Sequence, residues 1–199
     1  MSALTKQPLV EHTSDSKTIL GFWVYLMTDC ILFASLFSTY IVLHKNTFGG
    51  PGASELFSMP DILVETLVLL TSSFTCGLAM LAVRRRNVNW SMFWFGFTFV
   101  LGAIFLTMEL TEFHHLVATG NSWERSGFLS SFFTLVGTHG LHIAIGLLWV
   151  TVMGWQLVRR GFTTGVVRRL TLFSMFWHFL DIIWIFIFTF VYLTGALQL

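Results

Sequence analysis

Among the ionisable residues inside the long apolar stretches of this 199-residue chain, seven are informative: Asp29, Glu65, Glu109, His139, His142, His178 and Asp181. Their spacing permits chemistry. His139-x-x-His142 lies within FFTLVGTHGLHIAIG, His178-x-x-Asp181 within FWHFLDII, and Glu109-x-x-Glu112 precedes His114 and His115. On helices, such pairs could hold a metal or haem, relay protons, or bond to polar partners on neighbouring helices. Helical-bundle di-iron sites combine two Glu-x-x-His pairs with two further glutamates. Here the pairs differ in type and the glutamates lie at another depth, so the residues themselves argue against a metal site. A proton path should reach both surfaces, yet the halves of the second to fourth apolar blocks nearest the arginines carry no matching ionisable groups. A structural subunit whose polar groups fix helix packing remains the third class.

The elements that position these residues are set by composition. The chain is 55% apolar and 17% aromatic with only 11% charged residues, far from soluble usage. Apolar residues gather in five blocks, at roughly 19–43, 61–83, 90–113, 128–158 and 170–195. Each reaches the roughly 20 residues that span about 30 Å of hydrocarbon. The fold expected is therefore an all-α membrane protein, a bundle of five transmembrane helices over residues 19–199 behind a polar cytoplasmic segment, residues 1–18. The apolar run after residue 18 is too long for the h-region of a cleaved signal peptide, so the N-terminus is expected to be retained. Cys30 and Cys76 both fall inside blocks and read as small apolar filler.

Arg84, Arg85 and Arg86 follow the second block, and Arg159, Arg160, Arg168 and Arg169 separate the fourth from the fifth. The positive-inside rule makes both loops cytoplasmic, with the N-terminus cytoplasmic and the C-terminus periplasmic. Because these arginines flank spans, they do not form a nucleic-acid site. Trp23, Tyr25, Trp90 and Trp94 fall near the same boundary, as an aromatic belt would. The short Arg84–Asn89 link makes the second and third helices antiparallel neighbours, and Gly-Gly-Pro-Gly at 49–52 marks a non-helical external loop. No internal repeat is present, which weighs against a secondary transporter.

An acid at mid-helix costs about 2.5 to 3.5 kcal/mol on insertion scales, against about −0.3 to −0.6 for each Leu, Ile, Phe or Val. The first block has thirteen of those apolar residues and inserts despite Asp29. Counting about 1.5 Å per residue from each block's midpoint places Asp29, His142, His178 and Asp181 near the midplane and His139 slightly further out. Glu65 and Glu109 both fall about 10 Å toward the outside. This predicts a mid-membrane network of Asp29 with the histidines and Asp181, and a separate meeting of Glu65 with Glu109. On a helical wheel, Gly137, Gly140 and Ala144 lie opposite His139 and His142, so a neighbouring helix can approach that face closely.

FWVYLMTDCILFASLFSTY, VETLVLLTSS, MELTEFHH, SFFTLVGTHGLHIAIG and FWHFLDIIWIFIFTFVYL resemble, in the same order, signature segments of subunit III of the haem-copper oxidases. The resemblance runs from about residue 19 to the end. Many members have seven helices; the five-helix form, with MELTEFHH and RSGFLS, is most similar to that of bacterial bo-type ubiquinol oxidases, and five-helix forms also resemble subunits of some cytochrome c oxidases. The resemblance implies a non-catalytic subunit of a proton-pumping respiratory oxidase in the bacterial inner membrane. It implies haem and copper in a partner, subunit I, and none in this chain. It also implies contact with subunit I in a complex with subunits II and IV, bound phospholipid, and support of proton uptake. His139 and His142 would then be packing and hydrogen-bonding residues, and Asp29 stands where the family usually carries a buried carboxylate, often Glu.

The loop charges predict that topology reporters inserted after Arg86 and after Arg160 respond as cytoplasmic, and one at the C-terminus as external. An external signal from either arginine loop would reverse the orientation.

Overall fold

A computed structural model of the chain describes residues 7–47, 49 and 59–197. The described residues form helices and connecting turns, without a strand. The long helices are α1 (Gln7–Leu43), α2 (Met59–Arg84), α3 (Val88–Ala118), α4 (Gly127–Arg160) and α5 (Thr164–Ile187), and the chain continues through a π-helical segment (Phe188–Leu193) into a short α6 (Thr194–Leu197). Five helical stretches are long and apolar enough to cross a membrane. Of the Gly-Gly-Pro-Gly stretch, only Gly49 lies within the described residues; its φ of 76° is the left-handed conformation that glycine adopts without strain.

The helices outrun the apolar blocks because they begin at polar caps. Asn87, Ser126 and Thr163 each accept a backbone N–H three residues on, at Trp90, Leu129 and Val166. Such caps satisfy donors that a helix start leaves free. Helical backbone likewise begins at Gln7, ahead of the apolar run. At the arginine end, Arg86 takes a positive φ of 52° and the Asn87 N–H returns to the Ala82 carbonyl, folding α3 back along α2.

Helices α2, α3, α4 and α5 form a closed ring in that order, with α5 packing back on α2, while α1 lies outside on the seam of α4 and α5. Hydrophobic burial does not drive association within lipid, so close packing and interhelical hydrogen bonds must. The ring centres on Trp177 of α5, which is 1% exposed. Its indole N–H donates to Ser72 Oγ of α2 at 3.0 Å. Its ring fills the space left by Gly102 of α3 and Gly146 of α4: a Cβ at either position would lie 2.8 Å from a ring carbon. The small-residue face of α4 also meets α3, where a Cβ on Gly140 would come within 2.8 Å of Glu109 Oε2.

Seven residues on, Trp184 donates to Thr66 Oγ1 at 3.1 Å. Trp177 and Trp184 therefore occupy one face of α5 two turns apart, answered by hydroxyls on antiparallel α2. The π-helical segment that follows carries Val191 and Tyr192 into the core, where Tyr192 packs against Phe132 and Trp184.

Gly146→Ala should destabilise the bundle by about 1 to 3 kcal/mol, because a buried indole must yield. Gly21→Ala, whose Cβ would meet nothing within 4 Å, should not destabilise it. Thermal melting of the purified protein followed by circular dichroism measures both; equal melting temperatures for the two variants would contradict the interlock.

Candidate functional site

The polar groups divide by helix pair rather than forming one mid-membrane network. Asp29 of α1 faces His142 of α4, with Oδ2 and Nε2 3.8 Å apart. His142 Nδ1 lies 2.7 Å from the Thr138 carbonyl. A carbonyl only accepts, so Nδ1 carries the proton and Nε2 is the atom presented to Asp29. A bare imidazole nitrogen and a carboxylate are both acceptors, so their approach is favourable with a proton on one of them. Phe33 covers the pair, its ring 5.3 Å from that of His142, and the Tyr25 hydroxyl reaches the Asp29 carboxylate from one turn away on α1.

His178 and Asp181 belong to a second grouping, between α5 and α2. Ser73 Oγ lies 2.7 Å from His178 Nδ1. Asp181, one turn further along α5, interacts with both Ser73 and His178. With Trp177 on Ser72 and Trp184 on Thr66, these contacts tie α5 to α2 by three side-chain hydrogen bonds.

His139 joins neither grouping through a hydrogen bond. It is fully buried, stacked on Trp184 with ring centroids 5.3 Å apart and flanked edge-on by Phe105 and Phe33. Neither ring nitrogen has a hydrogen-bond partner among the protein atoms.

Glu65 of α2 and Glu109 of α3 lie near enough for their charges to interact, and Glu112 interacts with both, while Glu109 Oε2 rests against Gly140 of α4. Glu65 and Glu109 are 4% and 2% exposed, and both carboxylate oxygens of Glu109 are buried without a protein partner. Tyr192, carried inward by the π-helical segment, interacts with Glu112 and Glu109. Among the described residues, no three His, Cys, Asp or Glu side chains converge to hold a metal ion.

Sequence reasoning left Thr66, Ser72, Ser73 and Tyr192 out of these groupings. A signal for Thr66 and Ser73 was present: they are seven apart on α2 and so share one face, which meets Trp184 and His178 of α5. Tyr192 carried none, because its orientation depends on the π-helical segment.

The groupings lie within a stretch shared with known proteins. The family model for cytochrome c oxidase subunit III matches residues 9–196. Cytochrome bo(3) ubiquinol oxidase subunit 3 of Pseudomonas aeruginosa is 55% identical over 186 residues, 94% of this chain and 89% of the relative. Quinol oxidase subunit 3 of Bacillus subtilis is 45% identical over 177 residues, covering 89% of this chain and 87% of its own length. Cytochrome c oxidase subunit 3 of a Bacillus species is 45% identical over 176 residues, 88% of this chain and 85% of its own. With all five membrane-spanning helices inside the matched region, the chain belongs to the cytochrome c oxidase subunit III family.

Proposed function

We propose that the chain is the non-catalytic subunit III of a proton-pumping bacterial quinol oxidase, a multi-pass protein of the inner membrane. The observation that carries this reading is the similarity along 94% of the chain to a protein named subunit 3 of a bo(3) ubiquinol oxidase. Oxygen reduction belongs to haem and copper in subunit I; this chain packs on subunit I within a complex that includes subunits II and IV, binds phospholipid and supports proton uptake. Its N-terminus is cytoplasmic and its C-terminus periplasmic. Asp29, Glu65, Glu109, His139, His142, His178 and Asp181 serve as intramembrane polar contacts that set helix packing. The pairing of α2 with α5 through Ser72, Ser73 and Thr66 supports that role, since each polar side chain there answers another across the helix boundary.

The equal identity to a quinol oxidase subunit and to a cytochrome c oxidase subunit, both from Bacillus, supports a second electron donor, cytochrome c. Mild detergent extraction tests the reading. The chain should co-purify with a larger haem-bearing subunit, and the complex should consume oxygen with ubiquinol. Oxygen uptake with reduced cytochrome c alone would favour the second donor, and purification without any haem-bearing chain would refute both.

Asp29 provides a sharper test. Asp29→Ala removes the group that faces His142 and should cost on the order of 1 to 3 kcal/mol. Asp29→Asn keeps an acceptor and should cost less. Initial quinol-dependent oxygen uptake should survive both, while Asp29→Ala should loosen subunit III on a native gel. Immediate loss of turnover with the subunit fully retained would place Asp29 in the chemistry.

A further inference from the structure

At the ends of α2 and α3 opposite the arginines, a pocket of about 500 Å³ opens between the two helices. Its ionisable wall has two tiers. Glu65 lies six residues inside the start of α2 and Glu112 six residues inside the end of α3, so both sit about 9 Å from the helix ends. Asp61 and His115 form the outer tier, and Ile62 and Met108 supply apolar wall.

An acidic cluster alone need hold nothing, but Glu65 adds an independent fact. It is 4% exposed, it forms part of the pocket wall, and its Oε2 has no hydrogen-bond partner. Its charge also acts on those of Glu112 and Asp61. A carboxyl group at this depth needs a partner, and neighbouring carboxyl groups are reconciled either by protonation or by a cation seated between them.

The chemistry of that cation follows from the walls. The donor atoms do not converge as a bare metal ion would require. A quaternary ammonium lacks N–H donors and is recognised on aromatic faces, and none of the described residues lining the pocket is Phe, Tyr or Trp. A primary ammonium has three N–H donors and a compact charge, suited to carboxylates on facing walls, while its methylenes rest on Ile62 and Met108. We propose that this pocket binds a primary ammonium group, carried either by the ethanolamine headgroup of a phospholipid or by a free organic amine. The site extends the phospholipid binding proposed above, and its loss would leave contacts with other lipids intact.

Native mass spectrometry of the detergent-solubilised complex containing the full chain tests this, with dioleoyl-phosphatidylethanolamine and dioleoyl-phosphatidylcholine as probes of equal acyl chains. The ethanolamine lipid should bind about tenfold or more tightly than the choline lipid, a difference that Glu65→Gln and Asp61→Asn each reduce. Calorimetric titration with 1,4-diaminobutane forms the second arm: saturable binding lost in Glu65→Gln, without preference between the lipids, assigns the site to a free amine. Equal binding of the two lipids together with no diamine binding would overturn the proposal, as would a preference unchanged in both variants. Should Glu65→Gln fail to assemble, Asp61→Asn decides, because Asp61 is exposed at the rim.

Discussion

The bundle depends on the seating of one indole. Trp177 projects from α5 into the middle of the ring and touches the other three helices at once: Ser72 of α2 through its N–H, Gly102 of α3 and Gly146 of α4 through its ring. In lipid, an apolar helix face has no reason to leave the acyl chains for another apolar face. A large ring fitted between two glycines supplies the contact that lipid cannot match, and the hydroxyl on α2 satisfies the one polar atom the ring brings with it. Neither half works alone: without the glycines the ring has no room, and without Ser72 its N–H is buried unpaired.

The same constraint orders the polar groups. Once α5 is held on α2, His178 falls beside Ser73 and Trp184 beside Thr66. Each such bond contributes on average about 0.6 kcal/mol inside a membrane, so the three together matter more for register than for total stability. Helix α1 is placed differently. It lies outside the ring, with much of its surface exposed, and its buried polar contact is Asp29 with His142. This is the helix whose position depends most on what surrounds the chain.

The five spans were legible in the sequence because apolar runs of membrane length have few other readings. The neighbourhood of Glu65 and Glu109, whose charges interact, was legible too, since depth follows from counting along straight helices. The ring order was not. Helices that are apolar all round carry no stripe to say which face points inward, so only spaced exceptions such as Thr66 and Ser73, or Gly102 and Gly146, encode neighbours. The expected joining of Asp29, the histidines and Asp181 at one depth resolved into contacts on two helix pairs, because equal depth does not determine azimuth. Glu112 was visible as part of a ligand-like motif, whereas its place beside Glu65 and Tyr192 required the fold. The π-helical segment has no local sequence signal here, and with it Tyr192 was out of reach.

On the proposed reading, the polar residues of this subunit hold its shape while the reaction proceeds elsewhere in the complex. The most direct measurement is the first turnover: time-resolved oxidation of the haems by oxygen in fully reduced complex carrying His178→Asn or His142→Asn in this chain. The account predicts electron-transfer phases unchanged from the parent complex while the subunit remains bound. A phase selectively slowed in a complex that retains the subunit would contradict it.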